Sequence, residues 1–121
     1  MLTKLFQSLI DQDEAPVVIC DLDSVIVYMN PAAKARYHGD LTGRDLKKCH
    51  PHEANERIDR VLAWFRASAD HNRVYTYRND KENKDVYMIA LRDADGALIG
   101  YYEKHAYRDR EGGALYDLGD A

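Results

Sequence analysis

The chain has 121 residues, of which 45% are apolar and 31% charged, and its net charge of -4 comes from 17 basic and 21 acidic side chains. That size fits one domain with a core of its own and leaves little room for a second. The acidic balance argues against nucleic acid, whose binding relies on Lys and Arg to neutralise phosphates; without a bilayer-length apolar run or a signal peptide, no membrane insertion is expected and a cytoplasmic location is.

Leu2, Leu5, Phe6, Leu9 and Ile10 recur at helical spacing and form one apolar stripe over the first segment. A lone helix this short is marginal in water, so it must dock on its own domain or on a partner chain. Pro16 stops it from continuing. Val17 to Cys20 is a short β-branched run, Asp21-Leu22-Asp23-Ser24 is turn chemistry, and Val25 to Met29 is a second strand, which together predict a hairpin. Asn30-Pro31 reads as a helix start, with a short helix over Ala32 to Tyr37. A further short helical piece is predicted over Arg44 to Lys48.

After His50-Pro51 a longer helix is expected, with Ala54, Ile58, Val61, Leu62 and Phe65 on its apolar face and an end near Ser68 to Asn72. The rest reads as sheet. Val74 to Tyr77, Val86 to Leu91 and Leu98 to Tyr107 are predicted strands, and Asp93-Ala94-Asp95-Gly96 is a strong hairpin turn. In the last strand Ile99, Tyr101, His105 and Tyr107 are expected on one face, and Leu98, Tyr102 and Ala106 on the other. Large residues on both faces imply a cover on each, supplied on the second by the first helix or by another copy of the chain. A homodimer is therefore expected.

The fold class predicted is α+β: a five-stranded antiparallel sheet, short helices and one longer helix on one face, and an N-terminal amphipathic helix. Residues 1–14 form that helix and its exit, 15–109 the domain, and 110–121 a flexible tail in which Leu115, Tyr116 and Leu118 could dock. Cys20 and Cys49 are expected as free thiols.

This order of elements resembles the PAS domain family. The opening hairpin running into Asn30-Pro31-Ala32-Ala33, the loop Leu41-Thr42-Gly43-Arg44-Asp45-Leu46, and the turn and strand start Asp93 to Gly100 carry the resemblance, which covers about residues 15 to 109. Arg108-Asp109 sits where many PAS domains carry an Asp-Ile-Thr ending, and here the Ile-Thr is absent. The stretch Gly43 to Pro51 is similar to a PAS branch with a Cys-His-Pro step before the long helix. The resemblance implies a sensor that binds haem, flavin or a small metabolite, or a module that only dimerises. Flavin photosensors of the LOV type need a Cys shortly after the middle-loop Gly, and Leu46 stands there. Oxygen-sensing haem PAS domains need an axial His inside the long helix, and Ile58 stands there. Both subtypes are thus disfavoured, and the cofactor stays unassigned.

Cys49-His50-Pro51-His52-Glu53 is the densest reactive cluster. Thiolate, imidazole and carboxylate are all metal ligands, yet the spacing matches no zinc pattern and adjacent residues seldom converge on one centre. The plainer reading is a helix start, with Cys49 packed as a small apolar side chain. A haem- or metal-based redox sensor using Cys49 and His50 is the minor alternative. No orienting third residue or oxyanion loop accompanies them, so no enzyme is expected. Of the nine tyrosines, Tyr75, Tyr77, Tyr87, Tyr101 and Tyr102 fall on predicted strands, where they could pack the sheet or line a pocket. The ligand is placed between the long helix and the sheet, near Cys49, His50, Trp64, Tyr87 and Tyr102, with the Leu2 to Ile10 helix, a dimer or a separate signalling protein as output. The alternative is an interaction module without a ligand.

Overall fold

A computed structural model describes residues 1–119 of the chain, the Cys49 side chain excepted. The elements run α1 (Leu2–Asp11), β1 (Val17–Cys20), β2 (Ile26–Met29), α2 (Pro31–Arg36), a 3-10 helix (Leu46–Cys49), α3 (His52–Ala67), β3 (Arg73–Asn79), β4 (Lys84–Arg92) and β5 (Leu98–Tyr107). The five strands form one antiparallel sheet in the order β2-β1-β5-β4-β3. The predicted α+β class and its five-stranded sheet are both present. Among the described residues no helix is long and apolar enough to cross a membrane.

The core lies between one sheet face and the helices α2 and α3. Phe65 and Leu62 of α3 pack there with Val18, Cys20, Ile26, Met29, Met88 and Tyr101 of the sheet. Strand alternation decides which strand residues take part: Val86 and Met88 point in, and Tyr87 between them points out. The predicted facing holds for Tyr101 and His105 but not for Leu98. The register slips between Leu91 and Arg92, so the pairing runs Leu91 to Gly100 and then Arg92 to Leu98. One extra residue in β5 turns Leu98 onto the core, while Ile99 is 56% exposed.

Two side chains hold the helices to this sheet. Arg92 caps the end of α3, with its guanidinium donating to the carbonyls of Phe65, Ser68, His71 and Gly96 and to Asn72 Oδ1. Asn30 is fully buried and caps α2, its Oδ1 accepting from Ala33 N–H and Val17 N–H, each at 2.9 Å. Its amide group donates to the carbonyls of Ile10, Asp13 and Ala15, which ties the exit of α1 to the start of α2.

The first helix forms where its stripe predicts, yet it does not lay that stripe on its own sheet. Leu2, Leu5, Phe6 and Leu9 are exposed, and only Ile10 is half-buried. Hydrogen bonds join α1 to the sheet: Gln7 Nε2 donates to the Tyr28 hydroxyl at 3.4 Å, and that hydroxyl donates to Asp11. The apolar stripe of α1 thus does not cover the outer sheet face. In the tail Leu115, Tyr116 and Leu118 are exposed, and Asp120 and Ala121 lie outside the described residues.

Candidate functional site

Two adjoining cavities open between the helices and the inner sheet face. The smaller, about 240 Å³, is mainly apolar, walled by Val18, Ile26, Met29, Leu41, Leu46 and Tyr101. The larger, about 410 Å³, runs between α3 and strands β4 and β5, with Ile58, Val61, Val86 and Met88 as apolar wall and Lys84 and His105 as polar wall. Tyr37, His50 and Glu103 line both, so they stand at the junction. The larger volume falls within the usual range for a small-molecule site of about 300–1,000 Å³.

The local chain explains how each group arrives. Lys84 opens β4 and shares its face with Val86 and Met88, so the alternation that buries them buries it too, to 1% exposure. His105 lies opposite Val86 in β5 and is 6% exposed. Its Nε2 meets Glu103 Oε1 at 3.2 Å. His50 ends the 3-10 helix, and its Nδ1 lies 2.8 Å from the Leu46 carbonyl oxygen, which leaves Nε2 for other partners. Asn55 braces that joint by donating to the Lys47 carbonyl at 2.7 Å.

Charge is unevenly spread around the larger cavity. Arg36 holds Glu82 through two hydrogen bonds of 2.5 and 2.8 Å. That ion pair pulls the Glu82 carboxyl down to about 2, from its usual 4.5. Lys84 Nζ stands 3.5 Å from the same carboxylate and 5.3 Å from the centre of the Tyr107 ring. In the smaller cavity, burial pushes the Cys20 thiol up to about 11 and holds the Tyr101 phenol well above its ordinary value. Tyr101 donates to the Ser24 hydroxyl at 2.8 Å, both groups being buried. These are protonated, satisfied groups suited to shaping a cavity, not to attacking a substrate. Among the described residues no group of three or more His, Cys, Asp or Glu side chains could hold a metal ion.

Of the five residues expected around a ligand, His50 lines the cavities, and Trp64, Tyr87 and Tyr102 do not. The Cys49 side chain lies outside the described residues. Trp64 is 41% exposed and stacks on the His71 ring at 3.9 Å, because it sits about 100° around α3 from the buried Phe65. Tyr87 and Tyr102 lie on the outer sheet face. Tyr87 packs against Tyr75 at 5.3 Å, with the Arg73 guanidinium 4.0 Å above its ring. Tyr102 pairs with Ile19 and Ile89. Of the adjacent pair on β5 it is Tyr101 that faces inward, and Tyr77 of β3 also lines the larger cavity. Lys84 was not anticipated, since Asn79 to Asn83 reads as a turn and the strand as starting at Val86; stepping back by two from Val86 would have found it. His105 shares the Tyr101 face as the strand alternation predicts, and nothing in the sequence marks it as a site residue.

Comparison with known proteins agrees with this architecture. The PAS domain of a Colwellia psychrerythraea protein superposes with a TM-score of 0.64 at 12% identity, over 88% of this chain and 97% of that one. The PAS domain of Bordetella pertussis BvgS gives 0.63 at 18%, over 90% and 88%. A sensory box sensor histidine kinase from Vibrio cholerae gives 0.56 at 18%, over 88% and 87%. Identities this low show a shared fold. No curated protein matches the sequence. The PAS domain family model matches residues 14–103, and the chain therefore belongs to the PAS domain family.

Proposed function

We propose that the chain is a sensory PAS module that binds a small molecule in the cleft between α3 and the inner sheet face. The observation that carries this is the pair of joined cavities, apolar at one end and lined by buried Lys84 and His105 at the other. A folded core normally fills such space, and buried polar groups normally find partners. Occupancy would shift β4 and β5, and the Asn30 amide, which holds the exit of α1 against β1 and α2, gives that shift a route to α1. The relay needs a ligand with different affinity for two arrangements of the chain. PAS domains are commonly sensory or signal-transduction modules, and no catalytic role is assigned to any residue here. Residues 15–109 would form the sensor and 1–14 its output segment.

The test is native then denaturing mass spectrometry of the purified chain, with an absorbance scan of the same sample. A retained small molecule, or a haem or flavin band, supports the sensor and names the ligand class. An empty protein whose melting temperature no metabolite raises would count against it.

A second reading is favoured by the exposed stripe Leu2, Leu5, Phe6 and Leu9. On it, α1 and the outer sheet face, with Ile19, Ile89 and Tyr102, join two copies of the chain, and no ligand is involved. Deleting residues 1–11 would then convert a dimer to a monomer in light scattering, with the thermal transition retained.

A further inference from the structure

We infer that the larger cavity takes a small organic carboxylate, its anionic group seated between Lys84 and His105 and its apolar body against Ile58, Val61, Val86 and Met88. The inference rests on the ligand-binding reading above and gives the ligand a chemical class.

Lys84 Nζ and His105 Nδ1 are buried and have no hydrogen-bond partner among the described residues. Both residues are more than nine-tenths buried, and both line the cavity. A buried ammonium without hydrogen bonds is costly, and so is a buried ring nitrogen. Glu82, at 3.5 Å, is the only acid in ion-pair range of Lys84 among the described residues, and it is already committed. Its two oxygens receive Arg36, and one also receives the Asn79 amide at 2.7 Å.

The geometry suits one bridging group. Val86 lies opposite His105 and Lys84 opposite Tyr107, so Lys84 and His105 are diagonal neighbours on one face. Such diagonals lie about 7–8 Å apart at the backbone, within reach of a long side chain and a planar two-oxygen acceptor, to which His105 donates from Nδ1 when both ring nitrogens carry protons and Nε2 donates to Glu103. The charge around the cavity favours an anion. Arg36 and Lys84 share Glu82, His105 faces Glu103, and Arg57 at the rim has no ion pair among the described residues. An incoming cation would be repelled by the Lys84 ammonium, whose neighbour Glu82 is already shared with Arg36, and a neutral amide would bring that ammonium no further counter-charge. Ile58 and Val61 of α3 across the cavity, with Val86 and Met88 beside Lys84 on β4, ask for an apolar body.

The test compares butyrate, hexanoate and phenylacetate with their primary amides, by NMR titration of the uniformly 15N-labelled full chain and by thermal shift. Expected is carboxylate binding at least about tenfold tighter than the matching amide, rising with apolar size, and shifts centred on β4 and β5. Lys84→Met replaces the ammonium with an apolar chain of similar length and should erase that preference; His105→Gln should weaken it. The wild-type comparison stands without either variant. Equal binding of acid and amide would overturn the anion assignment and leave the ligand reading intact. So would a neutral compound retained in native mass spectrometry while no acid binds up to about 10 mM. No binding of any probe and no retained compound would overturn both.

Discussion

Replacing Asn30 with Ala should cost the domain about 3 kcal/mol, and the sum can be taken from its hydrogen bonds. The side chain is fully buried and serves three segments at once. Losing the α2 cap costs about 1 kcal/mol. The Val17 N–H is left buried without its acceptor, worth about 1–3 kcal/mol. The carbonyls of Ile10, Asp13 and Ala15 lose a donor but lie nearer solvent, so water replaces much of that loss. For a chain of this size about 3 kcal/mol lowers the melting temperature by roughly 10 °C. Asn30→Asp separates the two roles. It keeps both acceptor bonds but presents a carboxylate to three carbonyl oxygens, so the cap survives and the tether to α1 fails. Thermal denaturation followed by circular dichroism reads the first variant. Hydrogen exchange reads the second, with amides of residues 5–15 exchanging faster and those of α2 unchanged. A melting temperature within about 3 °C of wild type for Asn30→Ala would refute the reasoning, because the buried Val17 N–H alone should exceed it.

Gly100→Ala would set a Cβ 2.5 Å from the Cys20 carbonyl oxygen, within the β1–β5 pairing. A loss of about 1–3 kcal/mol is expected in urea denaturation, and an unchanged midpoint would contradict the close approach. Stability should also fall in acid through two depressed carboxyls. Arg36 holds Glu82 at about 2 against the usual 4.5, and Arg108 and Tyr75 hold Asp85 at about 2 against 3.8. Because the folded values lie below the unfolded ones, the stabilisation is complete above about pH 4.5 and lost as pH falls to about 2. Removing both arginines, as Arg36→Leu with Arg108→Leu, should flatten melting temperature against pH in that window; an unaltered slope would exclude these pairs as its cause. Cys20, with its thiol at about 11, should resist iodoacetamide at pH 8 until the chain unfolds, and rapid modification of its peptide in native buffer would show the thiol to be accessible.

Local chemistry made most elements legible. The Asn30-Pro31 start and the Asp93 to Gly96 turn behave as their residue types require: Asp93 Oδ1 accepts from the N–H groups of Asp95 and Ala97, and Gly96 takes a φ of +86°. What the sequence hid was parity. Adjacent Tyr101 and Tyr102 look alike in composition, and only the register tells which faces in. Alternation alone puts Leu98 on the wrong face, because a bulge becomes visible only once the partner strand is known. Lys84 sits in the polar run Asp80-Lys81-Glu82-Asn83-Lys84-Asp85, where nothing local marks one lysine as interior. Its burial comes from tertiary contacts supplied by β5 and α3, and so the polar half of the cleft lay beyond a local reading. The helical stripe of α1 was correctly seen as amphipathic, but amphipathicity does not say what the stripe meets.

The sheet order carries a consequence for how the chain acquires its shape. β5 follows every other strand in sequence yet occupies the middle of the sheet, joining β1 to β4. Until it is made, the N-terminal hairpin and the β3–β4 pair are two fragments with open edges and no shared hydrogen bond. Residues far apart in the chain must then meet, as Val17 does with Lys104, which makes closure a late, slow event. During synthesis the β1 edge stays unpaired until β5 emerges, and that interval leaves the nascent chain exposed to aggregation.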